Sequence, residues 1–204
     1  MASPALEVTG LACRRGGRPV FAGLSFALES GGLLALTGRN GSGKTTLLRA
    51  LALLVPAEAG AIHWQGEDVR SDADRWRGQI AWLGHLDGLK GDFTVRENID
   101  VANRLRGVAG DTDAALAAFD LAPLASRPVR TLSAGQRRRT ALARVAAAQA
   151  PFWLLDEPLN ALDAPSQKML LAALEAHLAS GGLAVAATHA TIKVRGATTL
   201  ELAA

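Results

Sequence analysis

Residues 33–54, LLALTGRNGSGKTTLLRALALL, decide the fold. LLALT is a short apolar run that reads as a buried strand, and TTLLRALALL carries a helical pattern. Between them, Gly38-Arg39-Asn40-Gly41-Ser42-Gly43-Lys44-Thr45 matches G-x-x-x-x-G-K-[ST], a strand-to-helix loop that cradles phosphate. Glycines let the backbone curl so that its amides point inward, and the helix N-terminus adds about half a positive charge there. The loop and the following Thr46 therefore predict an ATP site. Lys44 would bridge the β- and γ-phosphates, and the Thr45 hydroxyl would be a ligand of Mg²⁺.

Such a site needs an acid, and FWLLDEP at 152–158 supplies it. A wholly apolar strand delivers Asp156 and Glu157 at its carboxyl end, where open α/β sheets bind ligands. Asp156 is expected to hold Mg²⁺ through water, and Glu157, one residue on, to act as general base toward the attacking water. A further apolar run, LAVAATHA, ends on His189, which is expected to contact the γ-phosphate.

The surrounding chain alternates in the same way. ALTG, IAWLG, FWLLD and LAVAAT read as buried parallel strands, with helices between them. One helix, PSQKMLLAALEAHLAS, places Leu170, Leu171, Leu174 and Leu178 on one face. The start differs, because LEVTGLAC and VFAGLSFAL, joined by RRGGRP, form an antiparallel pair around a glycine turn. From Leu86 to Ala148 strand patterns vanish, and three helices are predicted with Thr94, Asp111 and Ser133 as N-caps. The predicted architecture is α/β: a P-loop NTPase (RecA-like) core with an N-terminal antiparallel β-subdomain and an inserted helical subdomain. It forms one domain over 1–204, with residues 1–85 and 149–204 in the core and 86–148 in the insertion.

Composition agrees with a globular enzyme: 204 residues, 49% hydrophobic and 20% charged. A formal net charge of +3 permits a weak basic patch without demanding nucleic acid. Cys13 stands alone, so no internal disulfide forms, and a reducing compartment is expected. MASPALEV lacks the charged and apolar regions of a signal peptide. The best candidate span, TALARVAAAQAPFWLL, is interrupted by Arg144 and Gln149.

Residues 132–144, LSAGQRRRTALAR, place a second small-residue turn before a helix. Taken alone, this is an N-cap serine on an amphipathic helix whose Arg137–Arg139 run is a solvated face. With the other motifs it resembles the signature LSGGQ of the ATP-binding cassette (ABC) family, and the resemblance extends from Leu6 to Leu202. It implies a homodimer in which Ser133, Gly135 and Gln136 cap the γ-phosphate held by the other copy. Leu159-Asn160-Ala161-Leu162-Asp163 is similar to the family's D-loop.

Two departures stand out. The family's adenine-stacking aromatic falls near Arg14 or Arg15, where a guanidinium, assigned to Arg15, would stack instead. Its metal-side glutamine after IAWLG is replaced by His85. GHLDGLKGDFTVREN, with that replacement, resembles the ATPase subunits of haem exporters of cytochrome c biogenesis. This implies integral membrane partners, an indirect link to haem, no direct nucleic acid and a peripheral place on the cytoplasmic face of the inner membrane. The alternatives are an ABC ATPase for another substrate, a soluble ABC protein acting on nucleic acid or ribosomes, and a stand-alone P-loop kinase.

Overall fold

The computed structural model of the chain describes residues 5–202. A hairpin opens it: β1 (Leu6–Arg15) and β2 (Arg18–Leu28) pair antiparallel about Gly16 and Gly17. Both glycines have positive φ, 55° and 78°, as a tight two-residue hairpin turn requires. Next, β3 (Leu33–Thr37) leads through the glycine loop into α1 (Lys44–Leu51). The chain then adds β4 (Ala59–Trp64), β5 (Glu67–Asp68), α2 (Ala73–Gly78) and β6 (Ile80–Leu83).

Helices α3 (Val95–Arg106), α4 (Thr112–Ala118) and α5 (Ala134–Ala147) follow without an intervening strand. The last part is β7 (Phe152–Asp156), α6 (Ala164–Ala179), β8 (Leu183–Ala187) and β9 (Ala197–Glu201). The four-stranded antiparallel sheet runs β2-β1-β4-β5, and the five-stranded sheet, parallel at every pairing, runs β6-β7-β8-β3-β9.

Alternation along the parallel strands explains how one sheet serves two cores. Phe152 and Leu154 of β7, Val185 of β8 and Leu36 of β3 pack with α1 and with Leu6, Val8 and Leu11 of β1. Trp153, Leu155 and Ala184 face the opposite way, toward α5, α6 and the helices α3 and α4. Both faces are covered, which is why β7 and β8 are apolar throughout before the terminal Asp156. On α6, Leu170, Leu174 and Leu178 are buried, while Leu171 is half-buried at the edge of that face.

All three predicted caps form. Thr94 accepts from the Glu97 amide, Asp111 from Ala114 and Ser133 from Gln136, the first and last as reciprocal capping boxes. Each such cap stabilises its helix by about 1 kcal/mol. The arginine run departs from expectation. Arg138 is only 4% exposed, and Arg139 donates to the carbonyls of Phe119 and Asp120. The run is therefore no solvated face, because helix α5 packs into the molecule on more than one side and its guanidiniums satisfy carbonyls there.

Where the helical segment meets the core, His177 stacks on Trp153 with ring centroids 4.0 Å apart. Burial pushes its pKa below the ordinary value, opposed by a hydrogen bond with the Leu183 carbonyl. A depressed histidine contributes stability that is complete above the unfolded value, about 6.5, and is lost as pH falls through the folded value. The fall in melting temperature between pH 7.5 and pH 5.5 should therefore be smaller in His177→Gln than in the parent. Equal falls in thermal melts would contradict this.

Candidate functional site

The parallel sheet places the carboxyl ends of β3, β7 and β8 at one edge, and most of the predicted site residues meet there, Gly38, Arg39 and Ser42 lying in the loop but off the cavity wall. A cavity of about 470 Å³ is lined by Asn40, Gly41, Gly43, Lys44, Thr45 and Thr46 of the loop. Its other walls are Arg15, His85, Asp156, Glu157, Asn160 and His189. A larger hollow of about 550 Å³ between α4, α5 and α6 is lined mainly by alanines and glycines and by none of the predicted site residues. Chemistry, not size, marks the site.

The loop is glycine-bound for steric reasons. Gly43 caps α1 with φ 97°, and a Cβ there would lie 2.5 Å from Cγ1 of Val20. At Gly38 (φ 128°) a Cβ would lie 2.5 Å from the Leu202 carbonyl oxygen and 2.9 Å from Oγ of Ser42. That Ser42 oxygen is buried behind the loop, off the cavity wall, and has no hydrogen-bond partner among the described residues. Lys44, 7% exposed, folds its ammonium over the loop and donates to the carbonyls of Gly38 (2.8 Å) and Arg39 (3.2 Å).

Thr45 links loop to sheet. Its hydroxyl donates to the Asp156 carboxylate at 2.9 and 3.2 Å, so the two oxygen ligands predicted for a cation touch each other. No group of three or more His, Cys, Asp or Glu side chains forms a metal cluster among the described residues. A hydroxyl and one carboxylate suit Mg²⁺, which keeps waters and takes phosphate oxygens for its remaining positions.

Glu157 follows with φ 49°, a left-handed conformation costly for a residue with a Cβ, and its amide donates to the Ala187 carbonyl at 2.8 Å. One ring nitrogen of His189, Nε2, lies 3.3 Å from Oε1 of Glu157 and 3.4 Å from Nζ of Lys44. It can donate to the carboxylate or accept from the ammonium, but not both at once. His189 thus stands between the Lys44 ammonium and the Glu157 carboxylate.

Arg15 lines the cavity. Arg14 turns away to donate to the Gly17 carbonyl and to approach Glu58 at 3.6 Å, which separates the two candidates for the base-stacking position. His85 is exposed on the rim. Ser133, Gly135 and Gln136 do not line this cavity. Ser133 is exposed at the head of α5, where its oxygen accepts from the Gln136 amide, leaving the hydroxyl proton free to donate outward. The Gln136 side chain is occupied in return by the Ser133 amide.

Three residues outside the predicted set belong here. Asn160 lines the main cavity and a second one of about 130 Å³, which it shares with His85, Asp87, Ala134, Arg138 and Glu157. Its place in the D-loop-like stretch was the sequence cue. Arg138 and Asp87 had none.

Residues 21–160 match the ABC transporter family. The chain is 51% identical over 94% of its length to a Rhodospirillum rubrum protein named cytochrome c biogenesis ATP-binding export protein CcmA, of which 83% is covered. Proteins of that name from Paramagnetospirillum magneticum and Nitrosococcus oceani are 46% and 42% identical, over 99% and 100% of this chain and 95% and 94% of theirs. Among solved structures, an ATP-binding subunit of an ABC transporter superimposes with TM-score 0.82 at 24% identity, over 91% of this chain and 80% of that one. An ABC transporter ATP-binding protein from Pyrococcus furiosus gives 0.85 at 24% identity, over 97% and 96%. The likeness at that identity concerns the fold, and the sequence match establishes the relationship: this chain belongs to the ABC transporter family, as an ATP-binding and ATP-hydrolysing subunit.

Proposed function

We propose that the chain powers an export system of c-type cytochrome biogenesis, as a homodimer docked on integral membrane subunits at the cytoplasmic face of the inner membrane. The relatives named for that role, similar over nearly the whole chain, support it. No helix among the described residues is long and apolar enough to cross a membrane, so the membrane path would belong to the partners. Haem would be linked to the chain only through those partners.

The assembly of Lys44, Thr45, Asp156, Glu157 and His189 on one cavity carries the chemical part of the proposal. The loop amides and Lys44 bind the phosphates, with Gly38, Arg39, Asn40, Gly41, Ser42, Gly43 and Thr46 completing the cradle, and Arg15 covers the base. Thr45 and Asp156 would hold Mg²⁺, with His85 at the rim beside them, and the ion would supply Lewis-acid polarisation of the phosphoryl oxygens. Glu157 accepts the proton of the attacking water at its carboxylate. His189 orients that carboxylate through Nε2 and senses the phosphates through the same atom.

In this proposal the Ser133 hydroxyl, with Gly135 and the first amides of α5, closes the cavity of the second copy. Its exposure outside its own cavity and its free proton support that role. Gln136 fixes the Ser133 backbone through its side-chain oxygen, which leaves its Nε2 amide hydrogens to donate to the same phosphate.

Glu157→Gln should bind ATP normally yet lose about 10²–10⁴-fold in turnover, because an amide cannot accept the proton. In the native host it should also prevent haem attachment to c-type cytochromes. Normal cytochromes with a dead ATPase would overturn the export role alone, and near-normal hydrolysis would remove Glu157 as base.

The composite site has its own test. Ser133→Arg and Lys44→Ala should each be inactive alone. Mixed, they form dimers with one intact site and should recover measurable ATPase activity. Absence of recovery, with nucleotide binding lost in Ser133→Arg, would place the serine in its own copy's site.

A further inference from the structure

Arg138 is the one arginine of the signature helix that reaches the acid end of β7. It projects from α5 into the interior, where its two terminal nitrogens make four hydrogen bonds. Nη2 donates to the backbone carbonyls of Asp156 (2.8 Å) and Glu157 (2.6 Å). Nη1 donates to the Gly84 carbonyl (3.1 Å) and to Oδ1 of Asp87 (3.0 Å). Further along the same helix, Arg144 grips the same loop at the carbonyls of Asp87 (2.9 Å) and Gly88 (2.6 Å) but donates to neither Asp156 nor Glu157.

The placement bears on the chemistry because Glu157 is strained. With φ 49° it occupies a region that non-glycine residues hold only where the surroundings over-determine them. Three bonds do this: the Glu157 amide donates to the Ala187 carbonyl, and the Glu157 carbonyl accepts from the Asn160 amide at 3.1 Å and from Arg138 at 2.6 Å, the shorter of the two and the one that leads to another element. Ala187 belongs to the sheet and is fully buried. Arg138 belongs to a helix and also holds a surface loop. In that loop, between Gly84 and Asp87, sit His85 and a leucine, Leu86, that is 82% exposed. The guanidinium is planar and rigid, so its two ends cannot move independently. A shift of the loop that displaces Gly84 and Asp87 is therefore delivered to the carbonyls of Asp156 and Glu157.

We infer that Arg138 is a positioning residue for the hydrolytic base, holding the Glu157 backbone in its left-handed conformation and coupling it to the 84–88 loop. This inference rests on Glu157 being the base. A purely structural arginine would resemble Arg144, which bridges the same helix and loop.

That comparison gives the test, made on the purified chain by measuring kcat, nucleotide Kd and melting temperature. Arg138→Gln should lower kcat by about 10²-fold, the usual effect of a reacting group misplaced by an ångström, with Kd changed less than about threefold. Arg144→Gln should lower the melting temperature comparably while leaving kcat within about threefold of the parent. Asp87→Ala, at a partly exposed site, removes the side-chain half of the loop arm, leaving the bond to the Gly84 carbonyl, and should lower kcat by about 3–10-fold at unchanged Kd.

Equal kcat losses in Arg138→Gln and Arg144→Gln would overturn the positioning role. Parental kcat in Asp87→Ala would overturn the coupling to the loop. If Arg138→Gln fails to fold, Arg138→Lys takes its place. A lysine reaches one pair of partners and not both, so its kcat should fall about tenfold, and a parental value would overturn the proposal. Glu157→Gln, assayed beside them, separates the two levels. Near-normal turnover there removes the base assignment and the inference together, whereas an inactive Glu157→Gln beside a fully active Arg138→Gln removes the inference alone.

Discussion

The hydroxyl of Thr45 on the carboxylate of Asp156 joins two segments 111 residues apart, and the rest of the site is arranged around that contact. It exists because β3 and β7 run parallel on either side of β8, so their carboxyl ends share one edge of the sheet. The first turn of α1 follows β3 across the glycine loop, and Asp156 closes β7. Once these two oxygens meet, Glu157 lies one residue beyond, and His189, just after β8, falls between Glu157 and Lys44. No flexible element is needed to bring the phosphate-binding and acid halves together.

Much of this was legible in the residues because the chemistry prescribes them locally. A backbone that curls around phosphate needs glycines at Gly38 and Gly43, and it needs a lysine and a hydroxyl at the helix start. The caps at Thr94, Asp111 and Ser133 were legible for a similar reason, since a side-chain oxygen must replace missing acceptors within three residues. Strands β4 and β9 were less visible. In β9, ATTLE, no position is fully buried, so no apolar run announces it, and pairing with β3 alone defines it.

Arg138 illustrates the opposite limit. Three of its four acceptors are backbone carbonyls, on Gly84, Asp156 and Glu157. A carbonyl is present at every residue, so nothing in the sequence distinguishes an arginine that will clamp distant carbonyls from one that will face water. The single side-chain acceptor, Asp87, lies 51 residues away in the chain. Arg144 and Arg106 act in the same way, Arg106 donating to the carbonyls of Gly78 and Ile80. The helical segment is thus fastened to the sheet by guanidiniums on backbone, a tie made by geometry alone.

The site as one chain presents it gathers the loop, Lys44 and the acid residues on one cavity with an open side, while Ser133 offers a free hydroxyl proton elsewhere on the surface. In the proposed dimer a second copy unites them, and cross-linking measures that union most directly. Cys13 is buried, which leaves the surface free of competing thiols among the described residues. Chains carrying Asn40→Cys, mixed with chains carrying Ala134→Cys in a Glu157→Gln background, should form a disulfide-linked dimer in the presence of Mg-ATP and little without it. Failure to cross-link at saturating nucleotide, with both cysteines reactive toward a small thiol reagent, would contradict the account.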